Sequence, residues 1–390
     1  MTGVMLLYLS NGNIPSQWAH TVQMMKMAEA YARRLGRPRR RGGFQLLIAS
    51  DYRRILLRRP SLRRWYGLRG RVNARRLAMA WALDGAAFER VSWPEWEERA
   101  VAYAVAKKPE LIVTRSYTIA QRCLESGLDV LFETHAGPGH PKLGILAGIA
   151  THPGCRGLVT TTEPLRELYV EHNVPSHRIL VWPNAVDLDR FEVAAGAPDR
   201  IRPNLPFRRD ATLVVYSGGL YEKKGIRTVL DAARLAPEAD FLLVGGWPQD
   251  VGRWEAEYPG LANVHFQGFV NNAELGTWLA AADILVLPAS GLDPDAAHTS
   301  PLKLFEYMAS GRPIVASAVP ALASVLTDER DALLVPPDDA PALAAAVRRI
   351  QDDPALAARL AATSRARAGD FTWDKRVEAI LRRFAPAFLI

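Results

Sequence analysis

The sequence predicts an α/β protein built from two doubly wound domains, each containing a parallel sheet. In both halves of the chain, short apolar runs alternate with helix-like segments, the rhythm of strand–helix–strand units. A polar, proline-containing stretch at residues 192–209 separates the two halves. The length of 390 residues, with 49% apolar content, also exceeds what one hydrophobic core usually encloses. We therefore expect one domain at residues 1–185, a second at residues 186–370, and a final helix within residues 371–390.

The predicted strands are short apolar runs bounded by turn-forming or polar residues. Because ligands of parallel α/β sheets bind outside the carboxyl ends of the strands, we expect the ligand site in the cleft between the domains. The predicted strands of the first half are Val4–Leu9, Phe44–Ala49, Leu111–Thr114, Val130–Glu133, Gly157–Thr161 and Ile179–Trp182. Those of the second half are Thr212–Tyr216, Phe241–Val244, Val264–Phe266, Ile284–Leu287 and Pro313–Ala316. The clearest predicted helices are Trp18–Leu35, Pro341–Arg349 and Trp373–Phe384.

Several features exclude other classes of protein. No apolar run approaches the roughly 18 to 20 residues that a membrane span needs. Met1–Ser10 has no basic residue ahead of its apolar residues, so we expect a first strand rather than a signal peptide. The two cysteines, Cys123 and Cys155, lack the spacing of a disulfide framework or a zinc site. Without a disulfide framework, a reducing cytoplasm fits best, so we predict a cytoplasmic protein. Asp293 and Asp295 form no convincing metal set either, so we predict no metal site.

Positive charge is concentrated in one segment, Arg33–Arg76, called the arginine patch below. It contains sixteen arginines and one acid, Asp51, for a local charge of +15 in a chain whose total is +8. Such a patch suits anionic lipid, a pyrophosphate-linked acceptor or nucleic acid, or it is an ordinary solvated face. A peripheral contact with an anionic membrane surface is favoured by the apolar and aromatic residues among the arginines, Leu56, Leu57, Leu62, Trp65, Tyr66 and Leu68. Nucleic acid is not expected, because no nucleic-acid-binding motif accompanies the charge.

The most informative segment is His298–Ser317, with the sequence HTSPLKLFEYMASGRPIVAS. Ser300 is suited to an N-cap and Pro301 to the first helical position. The free N–H groups of Leu302 and Lys303 at such a helix start can hold a phosphate or ribose oxygen.

Tyr216–Gly225, with the sequence YSGGLYEKKG, is a second candidate binding segment. Glycines at the carboxyl end of a strand allow the backbone to approach a ligand closely. Lys223 and Lys224 are cationic donors for a diphosphate, although Lys223 is equally consistent with a solvated turn residue. The segment is not a Walker A loop, because GxxxxGK[ST] is absent.

Two single side chains are further candidates, each with a structural alternative. Glu306 is either a solvated helix residue or a carboxylate that accepts two ribose hydroxyls. His135 lies at the end of a predicted strand, in the glycine-containing segment Val130–Gly139. A lone histidine is more often structural, but strand ends beside such loops are where catalytic groups gather.

Taken in order, nine segments resemble the retaining glycosyltransferases of family 4, the glycosyl transferases group 1, which use nucleotide-sugar donors and have the GT-B fold. Each segment alone is a weak match to the family, but the order and spacing of all nine make the resemblance specific over most of the chain. In the first half they are NIPSQWAHTVQMMKMAEAYARRLG at Asn13–Gly36, FETH at Phe132–His135 and VWPNAVDLDRF at Val181–Phe191. The others are GGLYEKKG at Gly218–Gly225, FLLVGG at Phe241–Gly246, VHFQGFV at Val264–Val270, ADILVLP at Ala282–Pro288, TSPLKLFEYMASGRPIVAS at Thr299–Ser317 and FTWDKRVEAIL at Phe371–Leu381.

The resemblance implies roles for individual residues. Lys224 matches the lysine that binds the diphosphate, Glu306 matches the second Glu of an E-x7-E motif that contacts the ribose, and His135 matches the histidine near the reacting centre. Two departures concern donor recognition: His298 stands where the motif has its first Glu, and Gly219 stands where an Arg is usual. The predicted donor-binding set is Gly12, Gly218, Gly219, Lys223, Lys224, Gly245, Phe269, Val270, His298, Thr299, Ser300, Pro301, Leu302 and Glu306, where Phe269 and Val270 hold the nucleobase and Gly12 approaches the donor phosphates.

The resemblance also implies a function. It predicts transfer of a sugar from a UDP- or GDP-linked donor to a glycan or lipid-linked acceptor, with retention at the anomeric carbon and without a metal or cofactor. The first domain would bind the acceptor, the second the donor, and the final helix would pack back on the first domain. The expected setting is bacterial surface polysaccharide or glycolipid synthesis at the inner face of the plasma membrane. The alternatives are a sugar-nucleotide epimerase of the same architecture and a non-catalytic relative that binds a membrane surface.

Overall fold

The computed structural model describes residues 5–16, 18–36, 43–50, 61–78, 80–82, 88–90, 92–192, 208 and 211–389. The chain divides into two compact units. The first unit comprises residues 1–183 together with residues 373–390, and the second comprises residues 184–372.

The first unit contains a parallel sheet of seven strands in the order β3-β2-β1-β6-β7-β8-β9, and a separate two-stranded antiparallel hairpin, β4-β5. The strands are β1 (Met5–Asn13), β2 (Gly43–Ser50), β3 (Ala74–Ala78), β4 (Ala80–Ala82), β5 (Phe88–Arg90), β6 (Leu111–Thr114), β7 (Val130–Glu133), β8 (Cys155–Thr160) and β9 (Ile179–Val181). The helices are α1 (Ala19–Leu35), α2 (Leu62–Tyr66), α3 (Trp93–Lys107), α4 (Tyr117–Glu125), α5 (Leu146–Thr151) and α6 (Glu163–Glu171).

Local sequence explains where the helices of the first unit begin and which face they bury. Ser92 and Glu95 form a capping box at the start of α3, in which each side chain accepts from the other residue's backbone N–H. Trp96, Ala100 and Ala104 recur every four residues along α3 and are fully buried against the sheet. The helix is therefore fixed by its cap at one end and by its apolar stripe along its length.

The second unit contains a parallel sheet of six strands in the order β12-β11-β10-β13-β14-β15. The strands are β10 (Leu213–Ser217), β11 (Asp240–Val244), β12 (Val264–Gly268), β13 (Ile284–Leu287), β14 (Ile314–Ser317) and β15 (Leu333–Val335). The helices are α7 (Asp189–Glu192), α8 (Ile226–Leu235), α9 (Pro248–Glu257), α10 (Asn272–Ala280), α11 (Leu302–Ser310), α12 (Pro320–Ala323), α13 (Ala340–Asp352) and α14 (Pro354–Ala368). The last helix, α15 (Trp373–Phe384), belongs to the first unit.

The sheet of the second unit is buried on both faces. Along β10, Val214 and Tyr216 belong to one hydrophobic cluster, while Leu213 and Val215 belong to another. Successive side chains of a strand point to opposite faces, so two separate cores cover this sheet. The predicted α/β fold with two doubly wound parallel sheets is thereby confirmed.

The sequence predictions omit β3, the β4-β5 hairpin and β15. β3 has the sequence ARRLA and lies at the edge of its sheet, so it lacks the continuous apolar run of a central parallel strand. β15 is only three residues long.

The arginine patch differs in part from its predicted form. Its residues 37–42 and 51–60 lie outside the described residues. Tyr66 is fully buried, and its hydroxyl both accepts from the Ser16 N–H (2.6 Å) and donates to the Ser16 carbonyl (2.9 Å). Leu68 is also buried. The prediction that these two apolar side chains contribute to a membrane contact is therefore wrong, since both belong to the interior. The exposed arginines of the described part are Arg33, Arg34, Arg63, Arg64, Arg69, Arg71 and Arg75.

Membrane spans and metal clusters are both missing from the part of the chain that the structure describes. Within those ranges, no helix combines the length and apolar character needed to cross a bilayer. The same residues contain no group of three or more His, Cys, Asp or Glu side chains placed to hold a metal ion. Cys123 and Cys155 are buried free thiols.

Candidate functional site

The strand order of the second unit identifies a candidate binding site. The chain first builds the sheet outward from β10 through β11 to β12, then reverses and adds β13 on the other side of β10. Ligands of doubly wound sheets bind at such a reversal, outside the carboxyl ends of the strands. β10 ends at Ser217 and is followed by Gly218 and Gly219, and β13 ends at Leu287. The loops that follow β10 and β13 therefore form the candidate site.

Glycines allow the loops at this site to pack backbone against backbone. Gly218 and Gly245 have φ angles of 138° and 121°, which L side chains rarely adopt. A Cβ atom on Gly245 would overlap the Gly218 carbonyl, and one on Gly218 would lie 2.5 Å from the Lys303 Nζ. The two glycines thus bring the loops after β10 and β11 together and leave room for the Lys303 ammonium.

Gly225 gives a direct test of this loop packing. It has φ 73°, and a Cβ there would overlap the Pro288 carbonyl oxygen. We expect Gly225→Ala to lower the free energy of unfolding of the second unit by more than about 2 kcal/mol, because strain and overlap add. Urea unfolding measures the change. The control is Gly252→Ala, inside α9, where a Cβ meets nothing within 4 Å. Gly252→Ala should raise the free energy of unfolding by about 0.5–1 kcal/mol. Equal effects of Gly225→Ala and Gly252→Ala would contradict the packing argument.

The predicted lysine pair lies beside two carboxylates. Lys224 Nζ is 3.3 Å from Asp293 Oδ2, and Lys223 Nζ is 3.9 Å from Asp293 Oδ1 and 3.8 Å from Asp295 Oδ2. Asp293 is buried, whereas the side chain of Lys223 is 53% exposed. The structure brings both predicted lysines to the candidate site, with their charges shared by the two aspartates.

The Lys303 side chain also lies at this site, whereas the sequence pattern predicted a role only for its backbone N–H. Lys303 Nζ donates to the Tyr216 hydroxyl at 2.8 Å and lies 4.0 Å from the centre of the Tyr216 ring. The Tyr216 hydroxyl in turn donates to the Gly219 carbonyl at 2.8 Å. Burial lowers the pKa of Lys303 to about 7, and the nearby charge of Lys224 acts in the same direction.

The start of α11 differs from the predicted capping. Pro301, not Ser300, is the N-cap residue, and no side chain caps the helix. The Ser300 hydroxyl instead accepts from the Asn184 N–H (3.0 Å), and the Ser300 carbonyl accepts from Asn184 Nδ2 (2.6 Å). The first backbone hydrogen bond of this turn runs from the Leu304 N–H to the Pro301 carbonyl. The N–H groups of Leu302 and Lys303 lie before it, at the start of the helix.

The residues just before α11 form a turn closed on Asp295. The backbone N–H groups of His298 and Thr299 both donate to the Asp295 carbonyl, at 3.0 and 2.9 Å. Ser217 N–H donates to the Tyr307 hydroxyl at 2.7 Å, which ties α11 to the end of β10. The predicted site residues of this loop are therefore held close to the carboxyl end of the central strand.

Glu306 is buried and paired rather than solvated. It is 7% exposed, and its Oε1 accepts from Asn272 Nδ2 at 3.2 Å and lies 4.0 Å from Arg190 Nη1. Arg190 also donates to the Asn272 carbonyl. Sequence reasoning missed both partners, which come from α7 and α10.

The predicted nucleobase residues directly follow β12. Phe269 is 46% exposed, and Val270 packs against the core that contains Leu304 and Phe305.

In the first unit, His135 lies two residues beyond the end of β7 and has both ring nitrogens engaged. Nε2 lies 2.9 Å from Glu133 Oε1, and Nδ1 lies 3.0 Å from Arg115 Nη2. A carboxylate partner requires a proton on Nε2, and a guanidinium partner requires a lone pair on Nδ1, so these contacts define a neutral ring. Burial and the Arg115 charge lower the pKa of His135 to about 4, in agreement with this tautomer. In this arrangement the ring has no lone pair left to act as a general base.

Glu133 is the centre of the hydrogen-bond network around His135. The same Oε1 atom accepts from Gln23 Nε2 (2.6 Å) and from Arg376 Nη2 (2.9 Å). Burial alone raises the pKa of a carboxyl group, but Arg376, the hydrogen bond from His135 and the Arg115 charge outweigh it and hold the pKa of Glu133 well below its usual range. Glu133 is therefore a buried carboxylate whose charge depends on the final helix.

Gly12 is in a strand rather than in the predicted loop. It lies in the carboxyl-terminal part of β1, inside the segment between Leu9 and Asn13 where the pairing with β2 shifts register. A Cβ on Gly12 would lie 3.0 Å from His20 Nε2. Gly12 is therefore a residue of a locally irregular part of the strand, where regular pairing with β2 is interrupted.

A family model and several proteins of known activity share sequence with part of this chain. Residues 211–353 match the family model described as glycosyl transferases group 1. The D-inositol 3-phosphate glycosyltransferase of Thermomonospora curvata is 29% identical over 267 residues, covering 63% of this chain and 61% of that protein. The lipopolysaccharide core biosynthesis glycosyltransferase LpsD of Rhizobium meliloti is 30% identical over 230 residues, covering 58% of this chain and 64% of that protein. The matches thus span less than two thirds of either relative.

Solved structures match over nearly the whole chain. Anabaena HepE in complex with UDP has a TM-score of 0.74 at 15% identity, covering 98% of this chain and 99% of that one. Sucrose-phosphate synthase from Thermosynechococcus elongatus has a TM-score of 0.72 at 23% identity, again covering 98% and 99%. At these identities the likeness shows the fold.

The two parallel-sheet units and these neighbours define the chain as a protein of the GT-B fold. The match to the glycosyl transferases group 1 family model, at residues 211–353, covers the part of the chain that holds most of the candidate site.

Proposed function

We propose that this protein transfers a sugar from a nucleotide-sugar donor to a hydroxyl group of a glycan or lipid-linked acceptor. The observation that carries the proposal is the arrangement at the carboxyl ends of β10 and β13. Glycines, two lysines and the start of α11 converge there within the segment that matches the glycosyltransferase family. The reported complexes of HepE with UDP and with UDP-glucose support a nucleotide-linked donor.

The donor would be held by groups of the second unit. Lys224 and the N–H groups of Leu302 and Lys303 would bind the diphosphate, because ammonium groups and free helix-start donors both suit phosphate oxygens. Glu306 would accept hydroxyls of the ribose. Phe269 and Val270, directly after β12, would contact the nucleobase.

The reaction would proceed with retention at the anomeric carbon and without a metal ion. The bond between the anomeric carbon and the diphosphate oxygen breaks, the acceptor hydroxyl oxygen forms a bond to that carbon, and the hydroxyl proton passes to the leaving diphosphate. Negative charge then develops on the leaving diphosphate, and fixed cations and N–H groups stabilise it electrostatically. His135 would position the sugar rather than remove a proton, since its ring is neutral and hydrogen-bonded on both nitrogens.

Calorimetric binding of UDP-glucose, GDP-mannose and ADP-glucose, each with and without EDTA, tests the donor assignment. We expect one of the three to bind with micromolar to millimolar affinity and EDTA to leave that affinity unchanged. Donor binding that is lost in EDTA would contradict the metal-independent assignment. A folded protein that binds none of them would contradict the proposed function.

A further inference from the structure

The lysines of the second unit are few and occupy one place. The chain has eight lysines, and residues 184–372 contain three of them, Lys223, Lys224 and Lys303, among many arginines. Lys223 and Lys224 both lie within 4 Å of Asp293, and the charge of Lys224 acts on Lys303. All three ammonium groups therefore belong to the candidate site.

The charges of the lysine pair are already balanced. Lys223 and Lys224 contribute two positive charges, and Asp293 and Asp295, their ion-pair partners, contribute two negative ones. A sugar nucleotide carries two negative charges on its diphosphate, so this balanced group offers it hydrogen bonds but no net charge. Among the residues described, no carboxylate lies within 4.0 Å of Lys303 Nζ. In that part of the chain, Lys303 is therefore the lysine of the site that has no carboxylate as an ion-pair partner.

The Lys303 ammonium is also held in a defined position. Lys303 Nζ donates to the Tyr216 hydroxyl (2.8 Å), and that hydroxyl donates to the Gly219 carbonyl (2.8 Å). These two hydrogen bonds fix the ammonium group beside the glycine loop. Gly218 leaves the space that it occupies, since a Cβ there would lie 2.5 Å from Nζ. A pre-positioned cation loses less conformational entropy when it binds an anion than a mobile one does.

We propose that the Lys303 side chain is a diphosphate-binding cation of this site, held by Tyr216 against the Gly218–Gly219 loop. This inference rests on the proposed function, because it assigns a further residue to the same donor.

Binding should also draw a proton onto the protein. The charged and titratable groups facing Lys303 are Tyr216 from β10, Lys224 from the turn before α8 and Glu306 from the same helix as Lys303. Burial holds the pKa of Tyr216 well above its usual value, so its hydroxyl stays neutral. With the pKa of Lys303 at about 7, the amine is partly neutral at pH 7.5. A diphosphate diester does not titrate near this pH and stabilises the ammonium form, so the proton taken up is assigned to the protein.

Calorimetry of wild type, Lys303→Met and Tyr216→Phe tests the inference, with whichever of UDP-glucose, GDP-mannose and ADP-glucose binds and with its free nucleoside. Methionine retains packing over the Tyr216 ring but removes the charge. We expect about a tenfold to hundredfold loss of affinity for the sugar nucleotide in Lys303→Met, the range for a lost charge-assisted contact, and no loss for the nucleoside. Tyr216→Phe should weaken binding less. Arg348→Ala, which removes one exposed charge of the same unit, is the matched control and should bind as wild type does.

The second readout is the proton count, obtained from binding enthalpies in buffers of different ionisation enthalpy at pH 7.5. Wild type should take up a proton fraction that Lys303→Met does not. Unchanged affinity and proton uptake in a folded Lys303→Met protein would overturn the inference while leaving the proposed function intact. Equal losses for sugar nucleotide and nucleoside would also overturn it, because they indicate a structural role.

Discussion

Replacement of Arg376 by methionine should lower the free energy of unfolding by about 3–5 kcal/mol, the usual cost of breaking one partner of a buried ion pair. The guanidinium is fully buried and donates to Glu133 Oε1 (2.9 Å) and to the Pro183 carbonyl (3.1 Å). Without it, the buried Glu133 carboxylate loses its principal cation. Chemical denaturation measures the change. Wild-type stability in Arg376→Met would contradict the importance of this contact.

A control and a double mutant separate the buried charge from the loss of one side chain. Arg382 lies on the same helix, pairs with Glu378 and is 73% exposed. We therefore expect Arg382→Met to change the free energy of unfolding by no more than about 0.5 kcal/mol. Adding Glu133→Gln to Arg376→Met removes the unpaired carboxylate and should restore part of the lost stability. Additive effects of the two substitutions would show that the pair is not coupled.

The same substitution should act on His135. Arg376 is one of the charges that hold the pKa of His135 near 4, and the Glu133 carboxylate opposes it. Removing Arg376 should therefore raise the pKa of His135, measured by NMR of the ring protons. An unchanged His135 titration would mean that Arg376 stabilises the fold without positioning this histidine.

Replacement of Glu306 by glutamine should lower kcat/KM for sugar transfer by about 10- to 100-fold, the value of one or two hydrogen bonds to a charged group. Glutamine has the same shape and can still accept from Asn272, so the melting temperature should change little. A ligand change tests the ribose assignment itself. Wild type should bind the nucleoside diphosphate more tightly than its 2′,3′-dideoxy analogue, and Glu306→Gln should bind the two about equally.

The control for Glu306 is Glu274→Gln, which makes the same chemical change at an exposed position on α10. We expect wild-type turnover from it. Full activity in Glu306→Gln, or wild-type indifference to the dideoxy analogue, would remove Glu306 from the ribose-binding role.

The sheets were predictable because their strands are buried on both faces and read as uninterrupted apolar runs. Leu111–Thr114, Val130–Glu133 and Ile284–Leu287 form strands with the predicted bounds. The edge strand β3 was not predictable in this way, since its arginines resemble a solvated patch. Tyr66 was predicted to be exposed because it lies among arginines, yet it is buried. Its hydrogen-bond partner, Ser16, is fifty residues away in the sequence, so no local pattern indicates this contact.

The candidate site was predictable in its loops and less so in its side-chain partners. Glycines and lysines after a strand identify the loop at the end of β10 from local sequence alone. The contacts of Lys303, Glu306 and Arg376 depend on which elements the fold brings beside them, and no local pattern contains that information. One composition signal was available for Lys303: the second unit, rich in arginine, retains lysine only at positions 223, 224 and 303.

The most direct test of sugar transfer is NMR of UDP-glucose, GDP-mannose and ADP-glucose incubated with the protein in EDTA, without an added acceptor. Water then takes the acceptor's place. We expect one donor to release its nucleoside diphosphate and free sugar slowly, and Glu306→Gln to suppress the release. Donors that all remain intact in the presence of folded protein, or a donor converted to an epimeric sugar, would contradict this expectation.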